Sequence, residues 1–170
     1  MNDDNKELPQ RKHIRLKEYD YSNNGCYFVT ICVKEHKQML GRIKVGRDAF
    51  IPPKIKLTYI GETADKYIKN INYAYDNITV DKYVIMPNHI HMIITIKNGM
   101  VNNGGMKASR PTLHTIVRSL KTMITKQIGF SVWQTSYYDH IIRTEKEYQE
   151  IWRYIDNNPA KWEQDELFQS

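Results

Sequence analysis

The chain has 170 residues, 41% of them hydrophobic, enough for one sizeable core and too few for two ordinary domains. Twenty-five Lys and Arg oppose nineteen Asp and Glu, and the resulting net charge of +6 favours an anionic partner. No run approaches the roughly 20 apolar residues of a membrane span, and the charged start lacks a signal-peptide core, so a cytoplasmic protein with no membrane partner is expected.

Residues 1–24 form a basic amino-terminal arm that carries Arg11, Lys12 and Arg15. The turn signal Ser22, Asn23, Asn24, Gly25 then leads into a β-branched and aromatic run, residues 26–33, read as the first strand. Cys26 and Cys32 fall in that strand about 20 Å apart, at ~3.3 Å per residue. That separation is beyond the reach of a disulfide, and the pair makes no zinc spacing. Residues 38–56, punctuated by Gly41, Gly46, Pro52 and Pro53, suggest an irregular hairpin. From Ile60, the apolar residues Ala64, Tyr67, Ile68, Ile71 and Tyr75 recur at helical spacing.

Residues 78–86 and 89–96 are β-rich and are separated only by Pro87 and Asn88, so they should pair as an antiparallel hairpin. Residues 97–110, rich in Gly and Asn, read as a flexible loop. A second helix is expected from Pro111 to the stop at Gly129, with Leu113, Ile116, Val117, Leu120, Ile124 and Ile128 as its stripe. Residues 132–142 look mainly extended. Thr144 and Glu147 then make a capping box that opens a third helix, which Pro159 should stop near residue 158. The order βαββαβ is that of an α+β ferredoxin-like sheet with helices on one face, here followed by an extra C-terminal helix, as one domain over residues 1–170.

Side chains alternate along a strand, so His89 and His91 share one face while Ile90, Met92, Ile94 and Ile96 share the other. The wholly apolar face must meet the core, which leaves two imidazoles together on the opposite face, able to chelate one metal ion or simply to hydrogen-bond. In the last helix Tyr148, Ile151, Trp152 and Ile155 define the apolar stripe, and Tyr154 falls about 110° from its centre. Asn158 lies four residues on, near the same flank.

Three segments resemble the HUH single-tyrosine transposases of insertion sequences and their REP-associated relatives. They are Met-Pro-Asn-His-Ile-His-Met-Ile-Ile at 86–94, Val-Trp-Gln-Thr-Ser-Tyr-Tyr-Asp-His-Ile-Ile-Arg at 132–143 and Tyr-Ile-Asp-Asn-Asn-Pro at 154–159. With Cys-Tyr-Phe-Val-Thr-Ile at 26–31, the resemblance spans residues 14–162. It implies cleavage and rejoining of single-stranded or hairpin DNA through a 5′-phosphotyrosine. Tyr154 would be the nucleophile, His89 and His91 ligands of Mg²⁺ or Mn²⁺, and Asn158, commonly Gln in the family, the third ligand. A phenol with a pKa near ~10 gains from a cation that polarises the phosphate.

Rejoining from a covalent intermediate needs no ATP, in keeping with the lack of a Gly-x-x-x-x-Gly-Lys-Ser/Thr loop. Tyr137 and Tyr138 are rival nucleophiles. Adjacent tyrosines in an extended segment face opposite ways, so at least one should be buried. His114 and His140 are further candidate ligands, and Trp133 a candidate base-stacking surface. Arg118 and Lys121, off the stripe of the second helix, join Arg11, Lys12 and Arg15 as expected DNA contacts. The sequence leaves open whether the active site forms within one chain or across a homodimer. It also leaves two rival readings, a non-catalytic RRM-like nucleic-acid binding module and a metal-dependent nuclease using activated water.

Overall fold

The computed structural model describes residues 24–44, 53–97, 111–165 and 167–168. The expected contacts Arg11, Lys12 and Arg15, and nearly all of the expected loop, lie outside the described residues. In chain order the elements are β1 (Gly25–Cys32), β2 (Gly41–Lys44), β3 (Lys54–Leu57), α1 (Tyr59–Ala74), β4 (Ile78–Ile85), β5 (His89–Ile96), α2 (Leu113–Ile128), β6 (Tyr138–Ile142) and α3 (Glu145–Asn157). A 3-10 helix, Asn158–Gln164, follows directly.

Four strands make one antiparallel sheet in the order β4-β5-β1-β6, and β2 and β3 pair separately as a hairpin. Without that hairpin the chain has the split βαββαβ topology expected from the hydrophobic periods. The period of two in β1 and β5 puts Tyr27, Val29, Ile31, Ile90, Met92, Ile94 and Ile96 on one sheet face. There they pack with Ala64, Ile68 and Ile71 of α1 and with Leu113, Ile116, Val117, Leu120 and Ile124 of α2. The other face is also covered: Ile155 of α3 packs on Ile93 and Ile142, with Phe28, Tyr148, Ile151 and Trp152 around them.

Side-chain caps fix the starts of the helices. Thr58, Thr112 and Thr144 accept hydrogen bonds from the backbone N–H groups of Gly61, Thr115 and Glu147, and α2 ends on Gly129 at φ 88°. Helix α2 therefore begins two residues after Pro111, because the Thr112 hydroxyl supplies the cap. Glu147 reaches back past the cap and accepts from the Arg143 N–H at 2.8 Å. The segment 132–142 is less extended than its composition suggests. Only Tyr138–Ile142 is a strand, and Trp133 forms a single bridge with Val33. Among the described residues no helix is long and apolar enough to cross a membrane.

The first turn of α1 lies against the Leu40 carbonyl, which accepts from the Thr58 N–H at 3.0 Å. A β-carbon on Gly61 would sit 2.0 Å from that oxygen. Backbone must move to admit it, so Gly61→Ala is expected to cost ~1–3 kcal/mol. The loss should appear as a lower denaturant midpoint at unchanged slope; an unshifted midpoint would show that the helix start does not depend on this approach.

Candidate active site

The site begins at the Pro87-Asn88 turn. Its backbone is sewn to the segment after β1: Val33 N–H donates to the Asn88 carbonyl (2.8 Å) and Leu40 N–H to that of Pro87 (2.9 Å). From this fixed start β5 carries His89 and His91 onto the face away from α1 and α2, with ring centroids 4.4 Å apart. Both are buried, at 0% and 3% exposure. The alternation predicts their shared face, but not that this face is covered as fully as the other.

Each imidazole gives Nδ1 to the protein and turns Nε2 towards the site. His89 Nδ1 bonds the Asn88 side-chain oxygen at 2.7 Å, and an amide oxygen only accepts, so His89 carries its proton on Nδ1 and a lone pair on Nε2. That Nε2 is buried and has no hydrogen-bond partner among the described residues. His91 Nδ1 shares a hydrogen bond with the Thr30 hydroxyl (2.9 Å), its cross-strand neighbour on β1. Burial holds the His89 pKa down at about 4, with Asp165 pulling upward and His36 downward. Burial, and then His89, hold His91 well below the ordinary 6.5. Neutral rings are in the state that metal binding requires, and His89 presents the lone pair of its Nε2.

Asp165 completes the group. Its side chain is 3% exposed, and Oδ2 lies 3.9 Å from His89 Nε2. One ligand atom each from His89, His91 and Asp165 falls within 4.8 Å of the others. Asn158, the sequence-expected third ligand, stands one bond behind: its Nδ2 donates to Asp165 Oδ2 at 2.8 Å, while its buried Oδ1 has no partner among the described residues. Two imidazoles and a carboxylate suit a divalent cation, and the orphaned Nε2 is the atom such an ion would satisfy.

Tyr154 projects from the flank of α3, and its hydroxyl lies 3.2 Å from His91 Nε2. The hydroxyl opens onto a cleft of about 910 Å³, lined by Phe28, Thr30, Cys32 and Tyr138 from the sheet and by Arg153, Asn157 and Lys161 from α3 and the turn after it. Tyr137 and Tyr138 do face opposite ways. Tyr137 is buried in the α1-α2 core, and Tyr138 is 50% exposed. Tyr138 aligns with Thr30, which aligns with His91, so its backbone sits two strands, about 10 Å, from that of His91. Cys32 lines the same cleft, but burial pushes its thiol to about 11, outweighing Lys121, so it stays protonated and a poor nucleophile.

The remaining candidates lie elsewhere. His114 stacks near Tyr137 (6.3 Å between centroids), and His140 Nε2 bonds Glu147 at 2.5 Å beside the α3 cap. Trp133 is buried in the core, which leaves it no face for a base. Arg118 is exposed on α2, which packs against the opposite sheet face from the histidines. Lys121 donates to the carbonyls of Gln134 (3.0 Å) and Ser136 (2.9 Å), so its ammonium is engaged in holding the segment before β6. The cations at the cleft are Arg153 and Lys161. With Glu150, Tyr154, Asn157 and Asn158 they recur at helical spacing as a second, polar stripe, a signal present in the sequence and masked by the stronger apolar one.

Comparison with known proteins bears on the family and the fold. The chain matches the family described as Transposase, IS200-like over residues 54–158. It is 36% identical over 177 residues to an uncharacterised protein of Haemophilus influenzae, covering 95% of this chain and 94% of that one. The solved structure of a REP-associated tyrosine transposase bound to a REP hairpin is similar in fold, with a TM-score of 0.55 and 23% identity, over 86% of this chain and 74% of that one.

Burying two neutral histidines has a consequence for stability. Unfolded, they titrate near 6.5; folded, His89 titrates near 4 and His91 also well below 6.5. As pH falls through this window the unfolded chain takes up protons that the native state refuses. Stability without divalent cations should therefore fall, by up to ~1.4 kcal/mol per pH unit for each histidine. Denaturant titrations in EDTA between pH 6.5 and 4 measure this, and His89→Gln should flatten the slope. A wild-type stability that is level across the window would refute the buried neutral pair.

Proposed function

Because the chain belongs to the IS200-like transposase family, we propose that it cleaves and rejoins single-stranded or hairpin DNA, with Tyr154 as nucleophile. The observation that carries this reading is the phenolic oxygen 3.2 Å from His91 Nε2 at an open cleft, beside a buried Nε2 of His89 that has no hydrogen-bond partner among the described residues. His89, His91 and Asp165 would hold Mg²⁺ or Mn²⁺, with Asn158 steadying the carboxylate. Such an ion polarises the scissile phosphate and stabilises the charge that develops on it.

The chain's own residues account for the rest. The Tyr154 oxygen bonds to phosphorus as the bond from phosphorus to the 3′ oxygen breaks; the proton given up by the phenol is matched by one taken up by the departing oxygen. The products are a 5′-phosphotyrosine and a free 3′-hydroxyl, and the reverse attack rejoins the strand with no further reactant. Arg153 and Lys161 hold the flanking phosphates, and Phe28 and Tyr138 give the cleft an aromatic wall on which unpaired bases stack. Tyr154 reaches the histidines of its own chain, so this reading needs no partner protomer. The hairpin held by the solved relative supports including hairpins among the substrates.

The test is incubation of labelled single-stranded and hairpin oligonucleotides from the gene's flanks with Mg²⁺ or Mn²⁺. A denaturation-resistant adduct is expected, lost in Tyr154→Phe with DNA binding retained, and still formed by Tyr138→Phe. Cleavage without an adduct would move the protein to the activated-water nucleases. An adduct mapped to another tyrosine would overturn the assignment of Tyr154. Replacing Arg153 and Lys161 together with Ala should weaken binding to all DNA sequences and flatten its salt dependence by up to ~1.4 in log-log slope. A slope change of ~0.7 from Arg118→Ala, with none from the double replacement, would place the DNA on α2 instead.

A further inference from the structure

Asn88 is fully buried in the turn before the first histidine, and its side chain makes three hydrogen bonds to three separate parts of the chain. Nδ2 donates to the His36 carbonyl at 3.1 Å and to the Leu167 carbonyl at 2.6 Å. Carbonyls only accept, so both amide protons are committed and the orientation of the amide is settled. Oδ1 is thereby aimed at His89, whose Nδ1–H must donate to it, and the His89 lone pair is forced onto Nε2.

Both carbonyls are presented at some cost or distance. Glu35 and His36 are consecutive non-glycine residues in the left-handed region, at φ 55° and 50°. Such a conformation is strained and persists only where its surroundings hold it, and one result is that the His36 carbonyl meets Asn88. Leu167 lies at the far end of the chain, two residues after Asp165, and its own N–H donates to Asp165 Oδ1 at 2.7 Å. The Asn88 bond to Leu167 therefore fastens the segment that brings Asp165 Oδ2 to 3.9 Å from His89 Nε2.

We propose that Asn88 is the positioning residue of the cation site: it sets the His89 tautomer and, through Leu167, holds Asp165 in register with the two imidazoles. This rests on the reading that His89, His91 and Asp165 hold the cation. Asn88 itself touches neither ion nor DNA in this role. It joins the strained bend, the ligand strand and the C-terminal segment, so the donor set is assembled in advance of binding. The turn's own bond, from Val33 N–H to the Asn88 carbonyl, is made by the backbone and leaves the three side-chain bonds to the bend, the ligand strand and the C-terminal segment.

Two substitutions separate the two tasks. Asn88→Asp keeps an acceptor for His89 Nδ1–H and removes both donors. Asn88→Ala removes everything. Three readouts apply to the full chain without DNA: Mn²⁺ affinity by calorimetry, the His89 tautomer by long-range ¹H–¹⁵N NMR, and hydrogen exchange from Trp162 to Phe168. In Asn88→Ala we expect Mn²⁺ affinity to fall ~10–100-fold, the Nδ1–H tautomer of His89 to be lost and the C-terminal segment to exchange faster. In Asn88→Asp the tautomer should persist while exchange quickens, with a smaller loss of affinity.

If Asn88→Ala does not fold, faster exchange with a retained tautomer in Asn88→Asp carries the test. Unchanged tautomer, exchange and affinity in the folded variants would overturn the proposal. Failure of the wild type to bind Mn²⁺ would instead overturn the cation reading, and the tautomer and exchange data would still decide the role of Asn88.

Discussion

Strand β5 is buried at every residue and on both faces, and the rest of the architecture follows from how each face is covered. The apolar face is met by α1 and α2 through ordinary hydrophobic packing. The histidine face cannot be covered in that way alone, because a polar atom taken from water without a partner costs on the order of 1–3 kcal/mol. Thr30 on β1 and Asn88 in the turn supply partners for the two Nδ1 atoms. The Nε2 atoms turn towards Tyr154 and Asp165, and that of His89 has no hydrogen-bond partner among the described residues.

Helix α3 has to do two things at once, and its two stripes divide the work. The apolar one closes the second core, while a part-buried polar group sets its height on the sheet. Asp81, beside the irregularity between Val80 and Lys82 in β4, accepts from Thr95 at 2.5 Å and from the Tyr148 hydroxyl at 3.2 Å. Lys82 pairs with Asp156 and lies 4.7 Å from the centre of the Trp152 ring. A helix docked through both ends of its apolar stripe has little freedom to rotate, and this holds Tyr154 against His91. Pro159 then turns the chain into the 3-10 helix, which lays Trp162 6.0 Å from His89 between ring centroids and returns Asp165 to the site.

The charge of the protein acts through placement more than through amount. Lys121, on a helix face that looks solvated in sequence, spends its donors on two carbonyls, whereas Arg153 and Lys161 sit at the cleft beside Tyr154. An excess of positive charge attracts anionic partners to the molecule as a whole. Arg153 comes from α3, which carries Tyr154, and Lys161 from the 3-10 helix that follows it.

Periodicity and capping chemistry were enough to read the element order, the ferredoxin-like sheet, the common face of His89 and His91 and the off-stripe position of Tyr154. All of these are local: the neighbours that decide them lie within a few residues in sequence, as with Thr144 capping α3 or Ile90, Met92 and Ile94 alternating with the histidines. The short motifs also sufficed to point to the transposase family, since they report spacings within single elements. What alternation cannot report is the identity of whatever covers a face. That α3 buries the imidazoles, that Lys121 is engaged, and that Asp165 and Asn88 meet around His89 depend on contacts between residues far apart in the chain, such as Asn88 with Leu167. Asp165 stands in a short acidic stretch with no periodic signature, and its hydrogen bond with Asn158 Nδ2 joins two residues seven apart that no helical spacing pairs. Tertiary structure decided these points because a side chain's partner is set by where the backbone returns, and no local pattern encodes that return.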